Sequence, residues 1–531
     1  MKSDKSWWRA RGSRVGVLVV AVVVAFGAVT ACSDDSRTQS NDPVVVRTQS
    51  GPVRGKLAGN TRSFSGIPYA AAPTGELRWK PPMAPAPWSQ ERDATKPGEK
   101  CLQSGAPGGL AGSEDCLFLN VWTPKGTAPQ RRPVMVWIHG GAFAAGTGSE
   151  YNPAQLVRAG DMLVVTINYR LGALGFLGHP AVANADGQVG NFGLLDQQAA
   201  LRWVHDNIAA FGGDPAKVTI AGESAGAMSV CDHLVSPGSE RLFQGAILES
   251  GPCELQVDRQ TAVARSEEYA AALGCPGTDA AVAQCLRAVP ATKLTEKMLQ
   301  YTGEAGVGLP GPIFGQPLLP EDPVVAFRAG KAAKVPVLIG ANHDEFTNFV
   351  VMQPITAEQY PERLKMFGAH ADAVAAQYPL ADYPQPSLAW AAVMTDHIFV
   401  CPAADMAKSL VRTAPVYSYE FADANAAPLP ILGLPNPPPF PLGAAHAFEL
   451  PYLFDLDQIP APATPAQKDL SDKMIRYWAA FVRTGDPNSR GLPDWPRHTG
   501  NQALVLEPDK STTTDLARTH HCDLWSGIPT P

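Results

Sequence analysis

Apolar runs and polar breaks alternate along this chain with two different periods. Val134–Ile138 and Met162–Tyr169 are short, rich in β-branched residues and almost continuously apolar, so each predicts a strand buried on both faces. Val218–Ala221, Gly245–Leu248, Val335–Gly340 and Val416–Phe421 continue the set, and Val44–Val46 with Val53–Gly55 predict a small antiparallel hairpin. Between strands the period lengthens. Residues 193–211 place Leu194, Leu201, Val204 and Ile208 on one helical face, and residues 469–484 do the same with Met474, Tyr477, Trp478 and Phe481. Buried strands alternating with helices predict an α/β fold whose mostly parallel sheet is covered on both faces. Segments 255–330 and 350–410 carry helical patterns without strand signals and are expected to be cap insertions between core strands. Residues 424–443 read as a proline-rich loop.

The first residues follow a different pattern. Lys2, Lys5, Arg9, Arg11 and Arg14 precede an apolar run from Val15 to Val29, shorter than the roughly 20 residues of a membrane span. The run ends in Val29-Thr30-Ala31-Cys32, which resembles the lipobox of bacterial lipoproteins. Residues 1–31 are therefore expected to be a cleaved signal, Cys32 a lipid-bearing residue and residues 32–42 a polar tether. An ordinary secretory signal is the alternative. Either reading puts the mature protein outside the cytoplasm, in the cell envelope or secreted, with Cys32 its one expected membrane contact. The remainder, residues 43–526, forms one domain in this reading.

Composition narrows the class further. With 45% hydrophobic and 18% charged residues, the 531-residue chain is globular rather than disordered. Its net charge of −7 and lack of a basic stripe give no reason to expect nucleic acid. Nine cysteines are an awkward number for an exported protein, but lipid on Cys32 leaves an even set. Cys101–Cys116 and Cys275–Cys285 are candidate local pairs, and Cys231–Cys253 and Cys401–Cys522 are candidate long-range ones. Spacing alone cannot choose among the many connectivities available. No Cys-x-x-Cys pair offers zinc spacing.

The chemistry is most legible at Val218-Thr219-Ile220-Ala221-Gly222-Glu223-Ser224-Ala225-Gly226. A strand runs into Gly-x-Ser-x-Gly and a helix follows, the context of a nucleophile elbow with Ser224 on its turn. A serine hydroxyl needs a base and an acid to orient that base; in α/β hydrolases the chain order is Ser, acid, His. The strand Val335–Gly340 leads into His343-Asp344-Glu345, so Asp344 and Glu345 are both candidate acids at a strand's C-terminal end. Among eight downstream histidines, His446 lies in Gly443-Ala444-Ala445-His446-Ala447, where small neighbours leave room for an imidazole. His139-Gly140-Gly141-Ala142-Phe143 follows a strand and can carry N–H donors toward an oxyanion, with Ala225 supplying another.

Several stretches in order resemble the type-B carboxylesterase family, which includes carboxylesterases, cholinesterases and bacterial para-nitrobenzyl esterases. They are Glu114-Asp115-Cys116-Leu117-Phe118-Leu119-Asn120-Val121, the His139 loop, Gly190-Asn191-Phe192-Gly193-Leu194-Leu195-Asp196-Gln197, and Phe211-Gly212-Gly213-Asp214-Pro215 leading into the elbow. The resemblance covers about residues 43–526. It implies an α/β-hydrolase fold and a serine carboxylic-ester hydrolase working through an acyl-enzyme, with no metal or cofactor. It selects Glu345 over Asp344 and raises His446, whose His-x-x-Glu-Leu-Pro-Tyr-Leu-Phe surroundings match the family's catalytic histidine. It aligns Gly141, Ala142 and Ala225 with the oxyanion donors. It also supports Cys101–Cys116, Cys275–Cys285 and Cys401–Cys522 as disulfides, which leaves Cys231–Cys253.

Departures from the family pattern bear on substrate. The loop Leu102–Asp115 has no aromatic residue where cholinesterases carry a tryptophan, so a cation–π choline site there is not expected. Ala142 replaces a common third glycine, and Glu249 replaces the glutamine of Leu-Gln-Ser-Gly. The expected substrate is a small ester with a short to medium acyl chain, and the expected state a monomer. The rivals are a lipase on long-chain esters and a non-catalytic adhesion protein on the same fold.

Overall fold

Strand Arg132–Ile138 shows why the centre of this molecule is a two-faced sheet. Its alternate residues enter different cores: Met135 and Trp137 pack on one side, and Val134, Val136 and Ile138 on the other. All five are completely buried. In the computed structural model, which describes residues 44–104, 109–126, 130–301, 311–429, 437–457 and 459–529, an 11-stranded sheet is built around this strand. The expected signal, tether and lipidated Cys32 lie outside the described residues.

The strands of this sheet, in chain order, are β1 (Lys56–Ala58), β2 (Thr61–Pro68), β3 (Phe118–Pro124), β4 (Arg132–Ile138), β5 (Leu163–Ile167), β6 (Gly213–Glu223), β7 (Gly245–Glu249), β8 (Val337–Asn342), β9 (Val416–Phe421), β10 (Gln502–Leu506) and β11 (Ser511–Asp515). Their spatial order is β11-β10-β9-β8-β7-β6-β4-β5-β3-β2-β1. From β10 across to β5 every pairing is parallel, and antiparallel pairs close both edges. The expected hairpin also forms, with Val45–Arg47 paired to Pro52–Arg54.

The six expected sheet strands are all present. β8 starts at Val337, two residues later than the apolar run suggested, because Pro336 has no N–H to donate to the ladder. Strands β1, β2, β3, β10 and β11, of which β1 and β11 form the edges, were not expected. β1 is wholly exposed and β11 reads Ser-Thr-Thr-Thr-Asp, so neither carries an apolar run.

Helices cover both faces. On one side α1 (Phe192–Asn207) and α2 (Ala225–Val235) pack Leu194, Leu201, Val204 and Val230 against β4, β5 and β6. On the other, α4 (Pro465–Thr484) buries Met474, Tyr477, Trp478 and Phe481. The run α3 (Pro386–Leu410) is long and apolar enough to cross a membrane, yet 89% of its most apolar window is buried within the fold. Between β7 and β8 stand the helices Arg259–Ala272, Ala280–Ala288 and Ala291–Tyr301. Two short paired strands, Val257–Asp258 and Ile313–Phe314, are added there to the expected helical pattern.

All four disulfides pair as expected: Cys101–Cys116, Cys231–Cys253, Cys275–Cys285 and Cys401–Cys522. A buried ion pair also braces the fold. Arg170 Nε and Nη2 donate to the two oxygens of Asp196 at 2.7 Å each, and the Arg170 backbone N–H donates to the same carboxylate. Both side chains are buried. Burial pushes the Asp196 carboxyl up, and the guanidinium beside it pulls the other way. Asp196→Ala would leave a buried guanidinium uncompensated, so urea unfolding should show a loss of about 3–5 kcal/mol.

Candidate active site

Ser224 sits at a turn that only a crowded, side-chain-free environment permits. Its backbone holds φ 54° and ψ −123°, a strained conformation for a residue with a Cβ. The crowding comes from both flanking glycines. A Cβ on Gly222 would lie 2.5 Å from the Gly226 carbonyl carbon, and one on Gly226 would lie 2.0 Å from Ile138 O. The turn is held by the Ser224 N–H, which donates to Glu249 O at 2.9 Å, and by Ser224 O, which accepts from Met228 N–H. The side chain is partly exposed, and among the described residues Ser224 Oγ has no hydrogen bond within the protein.

The loop after β4 runs directly beside this turn. A Cβ on Gly140 would lie 3.1 Å from Ser224 Cβ and 2.7 Å from Glu223 Oε2, so a glycine is required for the approach. Gly141 and Ala142 both take positive φ, 98° and 54°. Gly141 O accepts from the N–H groups of Ala144 and Ala145, which curls the loop so that its own leading N–H groups are left over. Among the described residues no loop hydrogen bond engages the N–H of Gly141 or Ala142. Ala225 is the first residue of α2, where helical N–H groups have no partner within the helix. Three N–H groups, those of Gly141, Ala142 and Ala225, thus lack a protein partner among the described residues. His139, at the loop's start, is structural: it stacks on Tyr169 at 4.5 Å, and burial holds its imidazole down at about 4.

Glu345 and His446 arrive from the ends of β8 and β9. His446 Nδ1–H donates to Glu345 Oε2 at 2.6 Å, while Glu345 Oε1 accepts from Asn342 N–H at 2.8 Å. The His446 N–H donates to Glu345 O at 3.1 Å, and His446 O accepts from Asn348 Nδ2 at 3.1 Å. Asp344, the other candidate acid, has a different partner: its Oδ2 accepts from Ala444 N–H at 2.9 Å and anchors the histidine loop. Neighbouring acids thus divide the work, one holding the ring and the other the backbone that carries it.

With Nδ1 committed, Nε2 is the nitrogen left for chemistry. It lies 3.1 Å from Glu223 Oε1, beside Ser224 in sequence. Burial alone would depress the His446 imidazole, but the carboxylates of Glu223 and Glu345 push it up to about 9. Burial pushes Glu223 up to about 7, opposed by His446 and aided by Glu345. Two deeper carboxyls surround the pair. Glu449 accepts from Asn342 Nδ2 at 2.5 Å and is raised well above the usual range, chiefly by burial. Glu249 accepts from Trp478 Nε1 at 2.8 Å, and burial raises it to about 8. A glutamate kept protonated is close in shape to the glutamine it replaces and still accepts from Trp478, which explains the departure at position 249.

An aromatic wall faces His446. The rings of Phe349 and Phe399 lie 5.3 and 5.0 Å from the imidazole, and Phe346 lies 5.0 Å from Phe349. Phe349 is 43% exposed and Met352 59%, so the wall continues toward solvent as apolar surface. These residues follow β8 and lie in α3, so sequence alone did not reveal which helical positions face the histidine.

Two of the quoted motif residues outside this pocket, Glu114 and Gln197, are braces. Arg78 Nε and Nη2 donate to Glu114 at 2.7 Å each, and its Nη1 donates to Arg287 O and Val289 O. Gln197 Nε2 donates to Ser229 Oγ at 3.0 Å and its Oε1 bonds His233 Nε2 at 2.9 Å, locking α1 to the helix that follows Ser224.

Comparison with known proteins identifies the family. A model of the carboxylesterase family matches residues 42–525. The chain is 37% identical over 493 residues to acylcarnitine hydrolase of Rattus norvegicus, covering 85% of this chain and 84% of that protein. It is 36% identical over 495 residues to para-nitrobenzyl esterase of Bacillus subtilis strain 168, covering 89% and 96%. The crystal structure of a Geobacillus stearothermophilus carboxylesterase superimposes with a TM-score of 0.80 at 34% identity, over 91% of this chain and all of that one. An α/β-hydrolase sheet, a serine at its elbow and full-length similarity to esterases therefore lead to one conclusion: the chain belongs to the carboxylesterase family and is a carboxylic-ester hydrolase.

Proposed function

We propose that Ser224, His446 and Glu345 carry the hydrolysis, and that the N–H groups of Gly141, Ala142 and Ala225 bind the oxyanion. The observation that carries this reading is the 2.6 Å bond from His446 Nδ1 to Glu345, made beside a serine held in a strained turn. Ser224 Oγ attacks the ester carbonyl as His446 Nε2 takes its proton; Glu345 stabilises the imidazolium. The carbonyl oxygen, now negative, sits among the three N–H donors, each worth about 3 kcal/mol of transition-state stabilisation. His446 then protonates the leaving alcohol, and water releases the acid by the same steps in reverse. For this His446 Nε2 must turn from Glu223 toward Ser224, a re-aiming common in resting enzymes.

The substrate in this reading is an uncharged ester of short to medium acyl chain, seated against Phe346, Phe349 and Phe399. That wall offers apolar area and no fixed charge. The relatives are named for acylcarnitine and para-nitrobenzyl esters, which differ in their alcohol parts and specify no acyl chain, so the wall and not the names supports the choice. We also infer export, with Cys32 as a lipid attachment point, from the cationic start, apolar run and lipobox-like residues.

Ser224→Ala should reduce kcat for a para-nitrophenyl ester by about a million-fold without changing the near-UV circular dichroism. It should also abolish labelling by an organophosphonate; a variant that still hydrolyses at the parent rate would overturn the assignment. Acyl chains from two to sixteen carbons give a second check (about this span covers esterase and lipase ranges). A maximum at short to medium length is expected, whereas a rate jump above the micellar limit would show a lipase. The pH profile gives a third. Because carboxylates raise His446, kcat/KM should increase with pH through the neutral range as the imidazole loses its proton. Glu223→Gln removes one of those carboxylates, lowers the imidazole's affinity for protons, and should shift the acid limb toward lower pH.

A further inference from the structure

A second group of titratable side chains converges where three separate segments end. His343 follows β8 directly, Glu420 is the penultimate residue of β9, and His520 lies just past the short helix Leu516–Thr519. Glu420 Oε1 lies 2.6 Å from His343 Nδ1 and 2.7 Å from His520 Nε2. One ligand atom from each residue lies within 4.8 Å of the other two. The two imidazole rings cross at 68° with centroids 5.2 Å apart. Glu420 and His520 are buried, whereas the His343 side chain is 44% exposed and opens the group to solvent.

Further side chains hold this group in place. His520 Nδ1 lies 2.6 Å from Asp396 Oδ1, and Asp396 Oδ2 accepts from Tyr378 O–H at 2.7 Å. Asp396 opens the π-helical turn Asp396–Val400 inside α3, a local widening common at functional positions. A carboxylate on one imidazole nitrogen fixes the ring and its proton there, leaving the other nitrogen as a lone-pair donor. Metal-binding histidines are held this way. The Cys401–Cys522 disulfide stands beside the group, and Cys401 Sγ lies 3.3 Å from His520 O, so the C-terminal ligand is carried on a pinned segment.

We propose that His343 Nδ1, Glu420 and His520 Nε2 form a binding site for one divalent cation of the zinc class, with a further position open to solvent on the His343 side. Two imidazoles and one carboxylate suit zinc and its first-row neighbours, whereas magnesium and calcium prefer all-oxygen shells. Tetrahedral bonds of about 2.0–2.1 Å need ligand atoms roughly 3.3 Å apart, so the present contacts must open by about 0.6 Å. Rotation of the half-exposed His343 opens its own contact, and a turn of the Glu420 carboxylate opens the one to His520 Nε2. In the metal-free protein a proton bridges each ring nitrogen to Glu420. The cation takes their place, both imidazoles end neutral at the liganding nitrogen, Glu420 is ionised, and the displaced protons pass to solvent or to the second ring nitrogen. No step of ester hydrolysis passes through this site. Its consequence is mechanical: it ties the loop two residues ahead of Glu345 to the C-terminal segment.

The test is zinc titration of the whole purified protein after EDTA treatment, by calorimetry, with bound zinc counted by mass spectrometry after gel filtration. Saturable uptake of one equivalent is expected, together with a rise in Tm that equal magnesium does not produce. Asp396→Asn should weaken binding about 10–100-fold through its effect on His520. His343→Ala and Glu420→Gln should each weaken it by at least that much. Should the buried Glu420→Gln variant fail to fold, the half-exposed His343→Ala still decides the matter. Absence of saturable uptake, or equal uptake by the parent and His343→Ala, would overturn the proposal.

Discussion

Three backbones pass one another at Ser224 with no room for a side chain between them, and this contact governs the rest of the site. Gly226 at the start of α2 lies against Ile138 O at the end of β4, and Gly222 at the end of β6 lies against Gly226. Strand β4 neighbours β6 in the sheet, so the loop that follows β4 must emerge beside the turn that follows β6. Ser224 and the loop after β4 are thereby neighbours by construction, not through a flexible arm. The strained φ and ψ of Ser224 persist because the sheet register and the helix beyond over-determine them.

Electrostatics under that turn come from burial distributed unevenly over like groups. Glu345 accepts hydrogen bonds at both oxygens, from Asn342 and His446. Glu249 and Glu449 each keep one oxygen without a partner and are pushed toward the neutral form by burial. Side chains of one type thus take different states within one buried neighbourhood, and only Glu345 meets the imidazole with full hydrogen-bond support. Glu223 lies between the extremes, close to His446 and sharing its charge.

Legibility followed burial. Central strands are covered on both faces, so β4, β6, β7 and β9 are apolar enough to stand out without context. Edge strands need only one covered face or none, and β1 and β11 therefore resemble loops in sequence. The elbow was visible because its constraint is local: two glycines must flank the serine whatever else the chain does. Asp344 and Glu345 were equivalent candidates on placement alone. The resemblance to a family separated them, and the structure shows the cause, since Asp344 faces Ala444 N–H while Glu345 reaches the ring. Glu114 and Asp196 stood in quoted motifs, but their work as buried braces depends on Arg78 and Arg170, partners many residues away that no motif singled out.

The chain by itself determined the α/β alternation, the serine at its strand-to-helix turn and the short candidate loops around it, because each follows from periodicity or steric need within a few residues. Tertiary structure decided what required distant segments to meet. His446 comes to Glu345 across 101 positions, Phe399 to His446 from a different element, and His343, Glu420 and His520 to one point from segments 77 and 100 residues apart. Sequence records such a meeting only as separate residues, since no local preference encodes the direction in which each side chain leaves its strand.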